Sequence, residues 1–393
     1  MSAYALLRNN PRPSFYEINQ AVKGNLCRCT GYRPILEALY SFSENSCCNG
    51  LSSSSCPCLE NSTSPGREKL VTFDDFPKFD ETQEILFPPS LIIDKSPKHV
   101  LLEGRRVKLV VPVSWQELDA VAKLGDELTV VSSGMKTRLA YSQSLRTNAT
   151  WVSIHNLPSM STLEVNDEEV SLGSALSIAD MVLSIDIYCV ESISRPIRKL
   201  FDKFSSLQVM NVASWSGALL TGSSDTYSVF LALNPKLLIR DVGGTFATHR
   251  LEDLLDAHGN VKLSRGSVIV MASFSRSQAG LRVFTFKQGL RPGADSTVLN
   301  CVGALWTSTD VIERARLAIS FGSKAILCGK LAECLRDKYA TNLSLKHITS
   351  DDKATYYDMA HTRNLRGNTN HVEHTIKRRD AVRALESHLK ILL

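Results

Sequence analysis

Val107-Lys108-Leu109-Val110-Val111 leads through Pro112 to Ser114-Trp115-Gln116-Glu117-Leu118, and then to Glu127-Leu128-Thr129-Val130-Val131, which runs into Ser132-Ser133-Gly134. The β-branched runs on either side read as strands, and the segment between them reads as a helix. Ser114 stands where an N-cap stands, with Glu117 three residues on. A strand, a helix, a second strand and a small-residue turn form a βαβ start, so an α/β reading opens here. The same alternation continues outward. Trp151-Val152-Ser153-Ile154 and Glu169-Val170-Ser171-Leu172-Gly173 alternate at period two, as strands do. Residues 236–242 and 267–274 are further strands, and 212–222 is a small-residue turn ahead of a helix. Gly243-Gly244 reads as a hairpin or bend. Beyond about residue 305, Arg314 to Ile319 and Lys330 to Leu335 are expected as helices, and Val382 to Leu389 suits an amphipathic one.

Toward the N-terminus the chain changes character. Residues 1–45 read as short helices. Ser14-Phe15-Tyr16-Glu17 is a capping box, Gly24 can end that helix in a left-handed cap, and Pro34 suits the first turn of the next. Between these helices lies Cys27-Arg28-Cys29, where two thiolates can converge on one ion or cluster. Residues 46–66 are rich in Ser, Asn, Gly, Pro and Cys and read as a flexible linker. Cys27, Cys29, Cys56 and Cys58 also make two Cys-x-Cys pairs that a zinc ion could take, although structural zinc usually spaces its thiols by two to four residues. Residues 67–100 are an extended connector stiffened by Pro88-Pro89.

Composition narrows the function classes. The 393 residues are enough for two or three domains with full cores. The net charge of +5 is mild, and no basic stripe is interleaved with aromatics, so nucleic acid is not expected as a partner. No run of about 18 apolar residues is present, so no membrane span is expected. The ten cysteines, with no signal-peptide core, read as reduced thiols in the cytosol. His371 and His374, Lys377-Arg378-Arg379 and the remaining charged runs read as solvated faces. No nucleophile signature is found.

The Cys27-x-Cys29 turn followed by Gly31-Tyr32-Arg33-Pro34 resembles the xanthine dehydrogenase/aldehyde oxidase family, in which it gives half the ligands of a [2Fe–2S] cluster. The resemblance implies that the other half is a Cys-x-x-Cys just before Met1. Two thiolates alone are not expected to assemble a stable cluster. It also implies an α/β (α+β) fold: a short iron–sulfur-like helical head, a vanillyl-alcohol-oxidase-type, PCMH-type FAD-binding domain, and a smaller α+β tail like the C-terminal domain of CO-dehydrogenase flavoproteins. The boundaries expected are 1–45 for the head, 46–93 for the linker, 94–280 for the FAD-binding domain and 281–393 for the tail.

The same resemblance implies the flavin contacts. One phosphate loop is Val130, Val131, Ser132, Ser133, Gly134, Met135 and Lys136, with serines where the family has Gly-Asn; on residues alone it reads equally as an ordinary strand-to-helix turn. The other is Ser214, Trp215, Ser216, Gly217 and Ala218, where the family has a second glycine and an Asn. Asp225 is implied to face the ribose, Phe204 and Ile269 to flank the adenine side, and Lys287 of Phe286-Lys287-Gln288 to approach the ring, with Arg291 and Asp295 in the turn that follows. Because phosphate-loop glycines are replaced, FAD is expected to bind weakly and non-covalently. The function implied is flavin electron transfer to NAD or oxygen, without the molybdopterin domain that carries hydroxylation in the family. The alternatives are a non-catalytic interaction module, pairing with itself or with a full-length paralogue, and an incomplete gene product.

Overall fold

The computed structural model of the chain describes residues 1–25, 31–43, 82, 88–89, 96–105, 107–123, 128–135, 149–256, 259–264, 266–289, 297–320 and 325–337. They divide into two compact units, residues 1–97 and 98–393.

The first unit contains α1 (Ser2–Asn9), α2 (Phe15–Val22) and α3 (Arg33–Tyr40). The capping box forms: the Glu17 N–H donates to Ser14 Oγ at 3.3 Å, and Glu17 Oε2 accepts from the Ser14 N–H at 2.7 Å. The Ser14 N–H bond, with further bonds from the Ser14 hydroxyl and the Asn10 amide, holds the Glu17 carboxyl below the usual range. Gly24 follows the helix end at φ 90°, and Pro34 sits in the first turn of α3. Phe15 and Tyr40 meet edge to face at 4.7 Å.

The second unit is built on three sheets. The first has the order β1-β2-β4-β3, from β1 (Val100–Glu103), β2 (Val107–Val111), β3 (Leu128–Val131) and β4 (Ala149–Ser153). Both β2 and β3 run parallel to β4, which requires crossovers, and α4 (Trp115–Ala122) lies between β2 and β3 in the chain. Ser114 caps α4, accepting from the Glu117 N–H at 3.3 Å. Glu117 Oε2 in turn accepts from the Val113 N–H at 3.0 Å.

The second sheet is antiparallel with the order β5-β6-β9-β7-β8, from β5 (Leu163–Val165), β6 (Glu169–Gly173), β7 (Lys236–Arg240), β8 (Phe246–Arg250) and β9 (Val268–Ser275). Residues 241–245 turn β7 into β8 as a hairpin, with the Gly244 N–H donating to the Asp241 carbonyl. Five helices lie between β6 and β7 in sequence: α5 (Ile178–Tyr188), α6 (Glu191–Phe201), α7 (Leu207–Val212), α8 (Trp215–Leu220) and α9 (Ser224–Leu233). The third sheet is a meander of β10 (Leu281–Gly289), β11 (Thr297–Ser308), β12 (Val311–Ser320) and β13 (Ala325–Leu327), followed by α10 (Gly329–Leu335).

The central strand β9 shows why the layers hold. Its Val268 and Val270 pack with Val110, Leu118 and Val152 of the first sheet's layer. Its Ile269, Ala272 and Phe274 face the helices, among Ile178, Ile197, Trp215 and Phe230. Val283, Val302 and Ala318 bring the third sheet onto that same helical core. Its other face packs Leu299, Cys301 and Ile319 against Leu331 and Leu335 of α10. Helices therefore lie between two antiparallel sheets, an α+β arrangement with one small parallel sheet attached.

One expectation is overturned. Arg314 to Ile319 is not a helix but the middle of β12, bonded to β11 on one side and, from Ala318 on, to β13 on the other. Its Glu, Arg, Ala and Leu residues favour helices locally, and ladder pairing with two neighbours overrides that preference. The helix expected over 330–335 is present as α10. The linker at 46–66, most of the connector at 67–100 and the helix expected over 382–389 lie outside the described residues, as do His371, His374 and Lys377-Arg378-Arg379.

Arg240 ties the first two layers together. From β7 it donates to Asp119 of α4 through both terminal nitrogens, at 2.9 and 2.8 Å, and its guanidinium lies 4.9 Å from the Trp115 ring centroid. Its side chain is only 7% exposed. Arg240→Met is expected to lower stability by about 1–3 kcal/mol, the worth of a charge-assisted bidentate pair. Urea unfolding at constant m-value would show it, and an unmoved midpoint would refute it.

Candidate functional site

The turn after β3 and the start of α8 meet. The Ser214 N–H donates to Ser133 Oγ at 3.4 Å, bridging 81 positions of sequence. On the first side, Val131 is buried and ends the strand, while Val130 and Met135 are exposed. Ser132 and Ser133 keep negative φ; the only left-handed residue of the described turn is Gly134, at φ 69°. The serines thus stand where the backbone does not require glycine. A Cβ at Gly134 would meet nothing within 4 Å, so this edge of the turn opens into free space. Lys136 lies outside the described residues.

On the second side, Ser214 caps α8 by accepting from the Gly217 N–H at 3.2 Å. The side chains that follow are taken up by the fold. Trp215 is fully buried, donates from Nε1 to the Gly173 carbonyl at 2.7 Å, and stacks on Phe230 with centroids 5.2 Å apart. Ser216 Oγ donates to the Ser174 carbonyl at 2.6 Å. Ala218 and Leu219 are buried. This segment therefore presents backbone around Ser214, not side chains, to the turn at Ser133.

Two other residues implied by the resemblance, Asp225 and Lys287, form a buried pair. Asp225 Oδ2 accepts from Lys287 Nζ at 2.6 Å, and Oδ1 accepts from Thr297 Oγ1 at 2.9 Å and Asn300 Nδ2 at 2.6 Å. Asn300 Oδ1 accepts from Ser228 Oγ at 2.8 Å. Lys287 Nζ lies 5.7 Å from the centroid of the Phe204 ring, which also packs on Phe201 at 5.2 Å. Ile269 is 2% exposed, in the helix-facing core of β9. Sequence reading missed Thr297, Asn300 and Ser228. A signal existed for Asn300: it is a lone amide within the apolar run Val298-Leu299-Asn300-Cys301-Val302, and such a residue in a buried strand needs a partner.

The described residues hold no group of three or more His, Cys, Asp or Glu suited to a metal ion. Cys27, Cys29, Cys47, Cys48, Cys56 and Cys58 lie outside the described residues, as do Arg291 and Asp295. Cys189, Cys301 and Cys328 are free thiols. Burial pushes Cys189 up to about 11 and Cys328 up to about 12, and raises Cys301 as well, so all three stay protonated at neutral pH.

The FAD fit is good at one place and poor at another. The Ser132-Ser133-Gly134 turn, with its open edge and the Ser214 cap beside it, suits a pyrophosphate, which takes backbone N–H groups and close approach. Asp225 and Lys287 do not suit a ribose and a ring as they stand, because each already holds the other.

Comparison with known proteins follows the same division. The profile of the FAD binding domain in molybdopterin dehydrogenase matches residues 105–274, and that of a [2Fe–2S] binding domain matches residues 1–40. The probable aldehyde oxidase gad-3 of Caenorhabditis elegans is 38% identical over 314 residues, covering 76% of this chain and 24% of its own length. The xanthine dehydrogenase/oxidase of Rattus norvegicus is 29% identical over 348 residues, covering 83% of this chain and 26% of its own. The chain thus spans about a quarter of the length of these curated relatives. Among solved structures, the carbon monoxide dehydrogenase of Hydrogenophaga pseudoflava superposes with a TM-score of 0.57 at 16% identity, covering 73% of this chain and 96% of that one. The reconstituted enzyme of Oligotropha carboxidovorans gives 0.56 at 11% identity, over 74% and 99%. These superpositions support the α+β fold alone. With an FAD-binding domain at 105–274 and a [2Fe–2S]-domain segment at 1–40, the chain belongs to the xanthine dehydrogenase/aldehyde oxidase family.

Proposed function

We propose that this chain binds FAD non-covalently at the turn after β3 and works as a flavin electron carrier. The observation that carries the reading is the meeting of the Ser133 turn with the Ser214 cap inside the matched FAD-binding segment. Ser132, Ser133 and Gly134 would hold the pyrophosphate through their backbone, with Ser214 alongside. Bound there, FAD would supply one- and two-electron transfer, with NAD or oxygen as the acceptor classes. The chain's own part is to bind and orient: Gly134 gives the turn its left-handed residue, and the Trp215 and Ser216 bonds fix α8 beside it. The cytosol is the compartment this reading favours, supported by three free thiols, two of them buried. Among the described residues no helix is long and apolar enough to cross a membrane. A second copy or a longer relative is the partner we propose, and the mass in solution, alone and mixed with that relative, tests it.

Titrating FAD into the purified chain tests the central reading, by flavin absorbance and fluorescence. Saturable binding is expected. Gly134→Ala forces an L-residue to a left-handed φ in open space, and should weaken binding by roughly 5- to 30-fold, the equivalent of about 1–2 kcal/mol. Ser132→Gly should change it less than about twofold, since position 132 has no positive φ to relieve. No saturable binding, or a Gly134→Ala variant that binds as tightly as the wild type, would overturn the assignment.

A further inference from the structure

Two residues that the family resemblance sends to the ribose and to the ring of a dinucleotide, Asp225 and Lys287, hold each other instead. Asp225 opens α9, Lys287 lies near the end of β10, and Thr297 begins β11. One carboxylate therefore grips both strands where β10 ends and β11 begins, through Lys287 on Oδ2 and Thr297 and Asn300 on Oδ1. Ser228, one turn further along α9, completes the set through Asn300. The Asp225 side chain is 4% exposed and that of Lys287 is 2% exposed.

We propose that Asp225 and Lys287 are an internal lock and not a cofactor-contacting pair: they fasten the β10–β11 meander to α9, next to the helix that carries the Ser214 cap. In what concerns FAD, this rests on the flavin reading above. Two opposite charges buried side by side offset each other's lost hydration only while both stay in place. A ribose hydroxyl reaching Asp225 would displace Lys287 or Thr297 and strand a buried ammonium or hydroxyl. Lys287 has little freedom to leave, because the Phe204 ring also lies beside its ammonium. Flavin affinity should therefore be carried by the Ser132–Gly134 turn and be indifferent to this pair as long as the fold holds.

The test has three arms. Native acetylation with an N-hydroxysuccinimide ester, read by peptide mass spectrometry, should modify Lys287 at least about tenfold more slowly than exposed Lys199, with or without FAD. Asp225→Asn and Lys287→Met should each lower Tm by about 10 °C, as expected for a broken buried pair, while the double variant should lose clearly less than the sum. The double variant should bind FAD within about threefold of the wild type. Lys287 labelling as fast as Lys199 in the free protein, or labelling suppressed by FAD, would overturn the proposal. So would additive melting losses, or a double variant that regains Tm but loses flavin more than about tenfold. If the wild-type chain binds no FAD, the flavin reading fails alone, and labelling and melting still decide the lock. If a single variant does not fold, the labelling arm runs on the unaltered chain.

Discussion

Trp215→Ala is expected to destabilise the protein by about 3–5 kcal/mol, the range for emptying a large buried aromatic site. Trp215 is fully buried, with its ring stacked on Phe230 at an interplanar angle of 18°. Phe230 in turn meets Phe274 of β9 edge to face at 5.1 Å, so the cavity would open at the centre of the helical core. The indole also donates to the Gly173 carbonyl, which links α8 to the end of β6. Trp215→Phe separates the two contributions. It keeps the aromatic contact and strands part of that carbonyl's bonding, which should cost about 1–3 kcal/mol. Urea unfolding measures both variants. An Ala variant within 1 kcal/mol of the wild type would mean that α8 is not anchored through this ring. Because α8 carries the Ser214 cap, the Ala variant should also lose flavin binding at temperatures where it remains folded.

Trp215 also marks where the sequence could and could not be read. Strands β2, β3, β4, β6, β7 and β9 were legible because β-branched runs and period-two alternation are local signals, and the caps at Ser14 and Ser114 were legible for the same reason. Trp215 read as part of a phosphate loop, because its acceptor lies 42 residues upstream and its stacking partner on another helix. Arg240 finds Asp119 across 121 residues, and Asp225 finds Lys287 across 62 and Asn300 across 75. Residue type alone says that such groups need partners, not which partners they take. β12 was misread for a related reason: its helix-forming residues are held extended by strands on both sides. At the turn after β3, the departure from the family's glycines looked costly. At Ser132 and Ser133 the backbone carries no left-handed strain, since among the described residues of the turn only Gly134 takes that region.

Gly173→Ala should destabilise by about 3 kcal/mol, at the upper end of what overpacking costs. This glycine is needed for close approach, not for its φ. A Cβ there would lie 2.6 Å from the Ser159 carbonyl oxygen and closer still to that of Met160, so it collides with main chain and not with a side chain that could turn away. The Met160 carbonyl cannot withdraw cheaply, because it accepts from the Ala175 N–H at 2.8 Å. Nor can Gly173 retreat easily. Its N–H donates to the Thr162 carbonyl at 2.8 Å, it pairs with Met271 in the β6–β9 ladder, and its own carbonyl takes the Trp215 indole. The contrast with Gly134→Ala is the check on the argument: there the added methyl meets open space, and the loss should fall on flavin binding more than on the unfolding midpoint. Gly173 and Trp215 share one hydrogen bond, so their losses should not add. In the double variant Gly173→Ala/Trp215→Ala, the second substitution should cost at least about 0.5 kcal/mol less than it does alone. Strict additivity in urea unfolding would show that the indole bond does not couple α8 to β6. The position of the Ser214 cap beside the Ser133 turn would then need another support.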